Sequence, residues 1–167
     1  AERELRALVE SMRIPVVNTL LGKGAFPETH ELSLGMLGMH GTAYANKAVA
    51  DCDLIMSVGS RWDDRITSNP ASFCPKALKI HIDIDPSEMG KVFAADCSLV
   101  GDAKRILAAL NSALGSGGPR ADTAEWLARV ASWKADFPLS YPKKGGLKAQ
   151  AVIAELYRLT GGKAVVV

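Results

Sequence analysis

The chain has little of what would mark several classes of protein. Only three of its 167 residues are cysteine, Cys52, Cys74 and Cys97, spaced far apart and with no second Cys or His at metal-ligand spacing. A disulfide scaffold and a zinc site are therefore not indicated, and reduced thiols in the cytoplasm are expected. No apolar run approaches the length of a membrane span; the longest, such as residues 54–58, is about a quarter of what a bilayer requires. No charged-then-apolar leader pattern is read at the start of the chain. Charge of one sign is also lacking: 20 Lys and Arg against 18 Asp and Glu give a formal +2, and the basic residues are scattered. That distribution excludes the basic stripe of a nucleic-acid partner. There is no G-x-G-x-x-G fingerprint, no repeat, no low-complexity tract and no nucleophile, base and acid that assemble into a triad.

What is present is a globular composition, with 48% hydrophobic and 23% charged residues, enough for one domain with an appendage. Residues 2–12 place Leu5, Leu8, Val9 and Met12 on one face of an amphipathic helix. Residues 14–17 read as a short strand whose Pro15 favours an edge or a first position. A loop over 21–41 follows, with glycines at 22, 24, 35, 38 and 41. Thr42 is a candidate N-cap for a helix over 43–51. Residues 53–58 form a continuous apolar strand of the kind buried on both faces, residues 78–84, which alternate and then run apolar, form another strand, and residues 98–100 a brief third. Asp102 caps a helix over 103–114. The alternation predicts an α/β fold, a doubly wound parallel sheet. Residues 115–120, GSGGPR, read as a linker, and 121–136 as a helix with Trp126 and Trp133 on one side. After a Pro- and Gly-bearing connection come a helix over 147–159 and a strand beginning at 163. The expected domains are 1–136 and the linker and opening helix and strand over 137–167. The chain opens directly in a helix and stops in an apolar run, so both ends are expected to be interruptions of a longer polypeptide.

In an open α/β sheet, ligands lie at the carboxyl ends of the strands, where helix N-termini point free N–H groups outward. The polar and small residues fall there: Asn18-Thr19-Leu20, then GSRWDDR at 59–65, then Asp85, then Gly101-Asp102. Composition and spacing justify a nucleotide-binding α/β domain and no more. His40, between glycines at the mouth of a helix, is either a ligand contact or a structural hydrogen-bonder, and His81, in mid-strand, reads as a satisfied core residue. Asp63 and Asp64 are adjacent carboxylates expected to pair with Arg61 or Arg65 rather than to bind a metal.

Four segments carry a resemblance. TLLGKGAFPETHELSLGMLGMHGTAYAN at 19–46, DLIMSVGSRWDDRITSN at 53–69, KIHIDIDPSEMGK at 79–91 and GDAK at 101–104 closely resemble, in order and spacing, the central domain of the acetolactate synthases, thiamine-diphosphate-dependent enzymes. The resemblance weakens over 115–146, and residues 147–167 resemble the start of the family's thiamine-diphosphate-binding domain. It implies a three-domain enzyme that decarboxylates pyruvate and joins the two-carbon unit to a second 2-keto acid, giving acetolactate or acetohydroxybutyrate in branched-chain amino-acid biosynthesis. It implies FAD lying across the central domain in a largely structural role, thiamine diphosphate and Mg2+ held outside this chain, and a homodimer or homotetramer, with a regulatory subunit as a further partner. The family's flavin contacts carry over to Thr19, Leu20, Leu37, Gly38, Met39, His40, Gly59, Ser60, Arg61, Trp62, Asp63, Arg65, Asp83, Ile84, Asp102 and Ala103, and its substrate-channel positions to Met39, Asp64 and Arg65. Trp62 stands where the family more often has Phe. The family's strand and glycine-rich turn before the first helix, its thiamine-activating glutamate and its Gly-Asp-Gly metal motif are not in this sequence, so this fragment alone is expected to be inactive. Two alternatives stay open: the central domain of a pyruvate oxidase, in which the flavin is redox-active, and the cofactor-free scaffold of a thiamine-dependent decarboxylase.

Overall fold

The computed structural model describes residues 1–115 and 122–165, which divide into two compact units, Ala1–Phe137 and Pro138–Val167. The linker read over 115–120 lies almost wholly outside the described residues.

In the first unit, α1 (Glu2–Met12) is amphipathic as its spacing predicts; Leu8 and Val9 are its buried residues. It ends at Arg13 in the left-handed region (φ 50°), whose N–H returns to the Val9 carbonyl. Five strands follow: β1 (Val16–Asn18), β2 (Ser33–Met36), β3 (Leu54–Val58), β4 (Leu78–Asp83) and β5 (Cys97–Val100). Every pairing among them is parallel, and helices α2 (Ala43–Asp51), α3 (Asp64–Thr67), α4 (Ala103–Gly115) and α5 (Ala124–Asp136) intervene or follow. The parallel α/β class is as expected. The hydrogen bonding, however, divides the strands into a β1-β2 pair and a β3-β4-β5 sheet.

Two further details of these strands differ from what the sequence predicts, besides β1 lying at 16–18 rather than 14–17. The loop expected over 21–41 contains β2, so residues 35–41, GMLGMHG, begin within a strand and leave it directly. The SLGM sequence gives no strand signal because Gly35 weakens it and has φ 71°; pairing with β1 decides the conformation. β3 and β4 are not buried on both faces throughout: Leu54 and Leu78, paired with each other at the amino ends, are both exposed. An apolar strand implies burial only where another layer covers it.

Thr42 caps α2 by accepting from the Ala45 N–H, and its hydroxyl donates to the Leu34 carbonyl (2.9 Å). The main core gathers Leu34, Leu37, Ala45, Ala48, Val49, Trp62, Phe73, Cys74, Ala77 and Val130; a second cluster of Val9, Phe26 and Leu32 lies under α1. Helix α5 brings Val130 to the first, with Trp126 and Trp133 edge to face at 5.7 Å. Lys134 fastens α5 to the chain entering β2, donating to the carbonyls of Glu31 and Ser33 (both 2.8 Å).

All three cysteines are free thiols, and their settings differ. Burial pushes the Cys52 thiol up to about 12, with Cys74 and Asp53 adding to it, and burial also raises Cys74. Cys97 is exposed. In the folded chain a thiolate-reactive disulfide reagent at pH 8 is expected to label Cys97 alone within minutes, since thiolate is the reacting species; Cys97→Ser is expected to abolish the fast phase. Folding raises the Cys52 pKa, so the folded chain keeps this proton after the unfolded chain has lost it. The associated stability is complete below about pH 9 and is lost as pH rises toward 12. Urea midpoints measured at pH 8 and 10.5 are expected to fall further in the parent than in Cys52→Ala.

In the second unit, α6 (Ala149–Thr160) ends at Gly161, φ 58°, whose N–H reaches the Tyr157 carbonyl. The strand expected from residue 163 does not form over 163–165; a strand needs a partner for its backbone groups. Residues 166–167 lie outside the described residues. None of the described helices is long and apolar enough to cross a membrane.

Candidate functional site

Parallel pairing sets the carboxyl ends of paired strands side by side, and backbone hydrogen bonds tie each departing loop to the next. The Leu37 N–H donates to the Asn18 carbonyl (3.2 Å), Met39 to Arg65 (3.2 Å), Gly59 to Ile82 (2.8 Å) and Gly101 to Asp83 (2.9 Å). The candidate residues from all five strand ends thus form one continuous row, which joins the two sheets through the Met39–Arg65 contact.

The loop from Leu37 to Gly41 is held at both backbone polar groups of one residue. Asn46 of α2 accepts from the Gly38 N–H (2.9 Å) and donates to the Gly38 carbonyl (3.0 Å). Gly38 has φ 90°, and a Cβ there would lie 2.4 Å from the Arg65 carbonyl oxygen. Only glycine allows the two loops to meet. Leu37 turns into the core, whereas Met39 and His40 are exposed. Asn46→Ala is expected to cost about 1 kcal/mol and to speed exchange of the Gly38 amide, read by hydrogen exchange.

Beyond β3, Gly59 (φ 63°) faces open space, with no atom within 4 Å of an added Cβ. Asp63 caps α3, its Oδ1 accepting from the Arg65 N–H (3.0 Å). Arg61 lies 3.6 Å from Asp63 and Arg65 3.9 Å from Asp64, with both guanidinium groups exposed. Such long, solvated pairs are worth little, so both cations are available to an anionic ligand. Trp62 instead lies in the core, edge-on to Phe73, His81 and Phe93; its side chain does not face the row. Asp83 is buried, with Oδ1 accepting from the Asp85 N–H, while Ile84 beside it is exposed. Asp102 caps α4, accepting from the Arg105 N–H (3.0 Å), and Ala103 is that helix's first residue. Each of these two aspartates has one oxygen already committed to backbone.

The row is also apolar. Leu20, Met39 and Ile84 are 70%, 64% and 71% exposed, three large hydrophobic side chains at three different strand ends. Asn18, which ends β1, has its Nδ2 buried with no hydrogen-bond partner among the described residues. Asn18 stands among the polar groups expected at the strand ends, though not among the expected flavin contacts, and His81 is the satisfied core residue that its place in mid-strand predicts, buried and bonded to the Ser60 carbonyl. Asn46 and Ser57, which bond to the loops from behind, carry no signal in the sequence. Two surface cavities, about 230 and 480 Å³, are lined by α1 with α4 and by α1 with the start of α5; they include none of the row. Among the described residues no group of three or more His, Cys, Asp or Glu could hold a metal ion.

Comparison with known proteins gives this geometry a family. The chain is 47% identical over 156 residues to the acetolactate synthase large subunit of Parasynechococcus marenigrum (strain WH8102), covering 92% of this chain and 25% of that protein. It is 43% identical over 168 residues to the acetolactate synthase isozyme 3 large subunit of Escherichia coli (strain K12), covering 98% and 29%. A probable acetolactate synthase large subunit of Methanocaldococcus jannaschii is 54% identical over 114 residues, covering 68% and 19%. The chain therefore spans about a quarter of the length of the curated relatives it matches. Residues 1–110 match the family described as thiamine pyrophosphate enzyme, central domain, and that match, over most of the strands and loops that build the row, places the chain in this family.

Proposed function

We propose that the row of strand ends binds FAD, and that the chain is the flavin-binding central domain, with the opening of the next domain over residues 137–167, of an acetolactate synthase. The observation that carries the reading is the coincidence of exposed apolar side chains, Leu20, Met39 and Ile84, with two unencumbered guanidinium groups, Arg61 and Arg65, on one line of strand ends. A dinucleotide has that mixture: a flat apolar ring system and a pyrophosphate. The open space at Gly59 lets a ligand approach the backbone. The first turn of α4, after Asp102, adds free N–H groups and the positive end of a helix dipole.

In this reading Arg61 and Arg65 take the phosphate oxygens, Met39 and Ile84 cover the apolar face, and the backbone of Leu37 to His40 and of Gly59 to Asp63 lines the groove. Met39, Asp64 and Arg65 border the substrate channel. Thiamine diphosphate and Mg2+, bound outside this chain, would supply the decarboxylation of pyruvate and the transfer of its two-carbon unit to a second 2-keto acid. The residues of this chain hold and orient, so the fragment alone is inactive. A homodimer or homotetramer, with a regulatory subunit and a cytoplasmic location, completes the proposal.

The test is FAD titration of the intact protein by flavin fluorescence, beside an Arg61→Ala, Arg65→Ala variant. Loss of two charge-assisted contacts is expected to weaken binding by about 100-fold or more, with acetolactate formed from pyruvate by the parent and a flavin that stays oxidised through turnover. A flavin reduced in turnover would favour the oxidase, and a protein that binds no flavin would favour the scaffold.

A further inference from the structure

The turn that leaves β3 is conformationally expensive. Two of its residues have positive φ, Gly59 (63°) and Trp62 (56°), and a bulky aromatic residue adopts that region only when its surroundings enforce it. The enforcing contacts come from beneath. In the β3–β4 register Ser57 lies directly opposite His81, and both side chains reach the same acceptor: Ser57 Oγ donates to the Ser60 carbonyl at 2.9 Å, and His81 Nε2 lies 3.1 Å from it. A carbonyl oxygen can only accept, so Nε2 carries the hydrogen. His81 is 1% exposed, and the same ring packs edge-on to the Trp62 indole at 5.7 Å. Asp83 Oδ2 lies 4.0 Å from Nε2, too far to compete as a hydrogen-bond acceptor.

We infer that His81, with Ser57, is the positioning residue of the 59–63 turn: the pair grips one carbonyl from two strands, holds Trp62 in its left-handed conformation, and so turns Arg61 and the adjoining backbone outward. The ligand part of this inference rests on the flavin reading; the clamp itself does not. A His whose only role was to fill the core would tolerate an apolar replacement and would not care whether a donor is kept.

The distinguishing variants are therefore His81→Leu, which keeps the bulk without the donor, His81→Gln, which keeps a donor at similar reach, and Ser57→Ala. Two measurements are made on the intact protein. Hydrogen exchange follows the Ile66 and Thr67 amides, which both bond to the Asp63 carbonyl at the far end of the turn; FAD titration follows the ligand. Exchange at Ile66 and Thr67 is expected to rise about tenfold in His81→Leu, the equivalent of about 1.4 kcal/mol, and to stay within about threefold of the parent in His81→Gln. Because each donor partly covers the loss of the other, the Ser57→Ala, His81→Leu double variant is expected to exceed the product of the singles. FAD affinity is expected to weaken in the same order.

Equal effects of Leu and Gln, or unchanged exchange in both His81→Leu and Ser57→Ala, would overturn the clamp. Altered exchange with unaltered FAD affinity would overturn its positioning role. A parent that binds no FAD would sink the flavin reading and with it that role, while the exchange data would still decide the clamp. Should His81→Leu fail to fold, Ser57→Ala and His81→Gln decide it alone: fast exchange in the first with parental exchange in the second supports the clamp, and any other pairing overturns it.

Discussion

Replacing Gly38 by alanine is expected to destabilise the chain by about 3 kcal/mol or more and to abolish any ligand binding along the strand ends. Two penalties coincide. At φ 90° an L-residue is strained, and the added Cβ would lie 2.4 Å from the Arg65 carbonyl oxygen, 3.3 Å from the Arg65 carbonyl carbon and 3.3 Å from the Ile66 Cα. Backbone cannot swing aside as a flexible side chain can, and both backbone polar groups of Gly38 are already fixed by Asn46. The two loops must therefore separate, which breaks the Met39–Arg65 bond that joins the two sheets. Gly24→Ala is the control, because Gly24 has φ 93° but nothing within 4 Å of an added Cβ. It is expected to cost only the conformational part, about 1–2 kcal/mol. Urea denaturation of the two variants separates strain from collision; equal midpoints would show that the approach of the loops is not what requires glycine.

Phe26→Ala is expected to cost about 3–5 kcal/mol, the usual range for an aromatic deletion from a core that cannot collapse. Phe26 is fully buried although it belongs to a loop. It forms a buried cluster with Val9 and Leu32, against which Leu5, Ile14, Val16 and Leu127 pack, and it lies edge-on to His30 at 5.0 Å. It is thus the plug between α1, β1 and the segment entering β2. Removing it loosens α1 and the β1-β2 pair together, so a single cooperative shift of the urea transition is expected rather than a local one. Leu21→Ala, five residues earlier and exposed, is expected to change stability by less than about 0.5 kcal/mol. A Phe26→Ala chain of near-parental stability would mean that the second cluster contributes little to holding α1.

The regular elements were legible because each is specified by residues close in sequence. Thr42 three residues before the Ala45 N–H is a cap wherever the helix begins, and the run 54–58 and the alternation at 78–83 show their period without reference to neighbours. The strand SLGM was not legible. Its Gly35 argues against a strand, and only the presence of β1 alongside it makes extended backbone the better choice. Over residues 163–165 the expected strand does not form for the converse reason, a suitable composition with no partner among the described residues.

The candidate site divides in the same way. The grouping of its residues followed from chain order, because a parallel arrangement puts every strand-to-helix loop at one end of its sheet, and Thr19, Leu37 to His40, Gly59 to Arg65, Asp83 to Ile84 and Asp102 to Ala103 occupy those loops or the strand and helix ends beside them. Which atoms of those residues face outward did not follow. Leu37 and Trp62 turn into the core and can offer only backbone, while Leu20, Met39, Arg61 and Ile84 stand exposed. The residues that hold the loops, Asn46 under Gly38 and the Ser57–His81 pair under Ser60, lie 8, 3 and 21 positions from the backbone they grip. The sequence by itself determined the class of fold and the end of the strands at which chemistry could occur, because hydrophobic period and turn residues act over a few positions. The tertiary structure alone decided which groups face outward and what fixes them there, because those contacts depend on strand register, which brings Ser57 opposite His81 across chain that no local pattern spans.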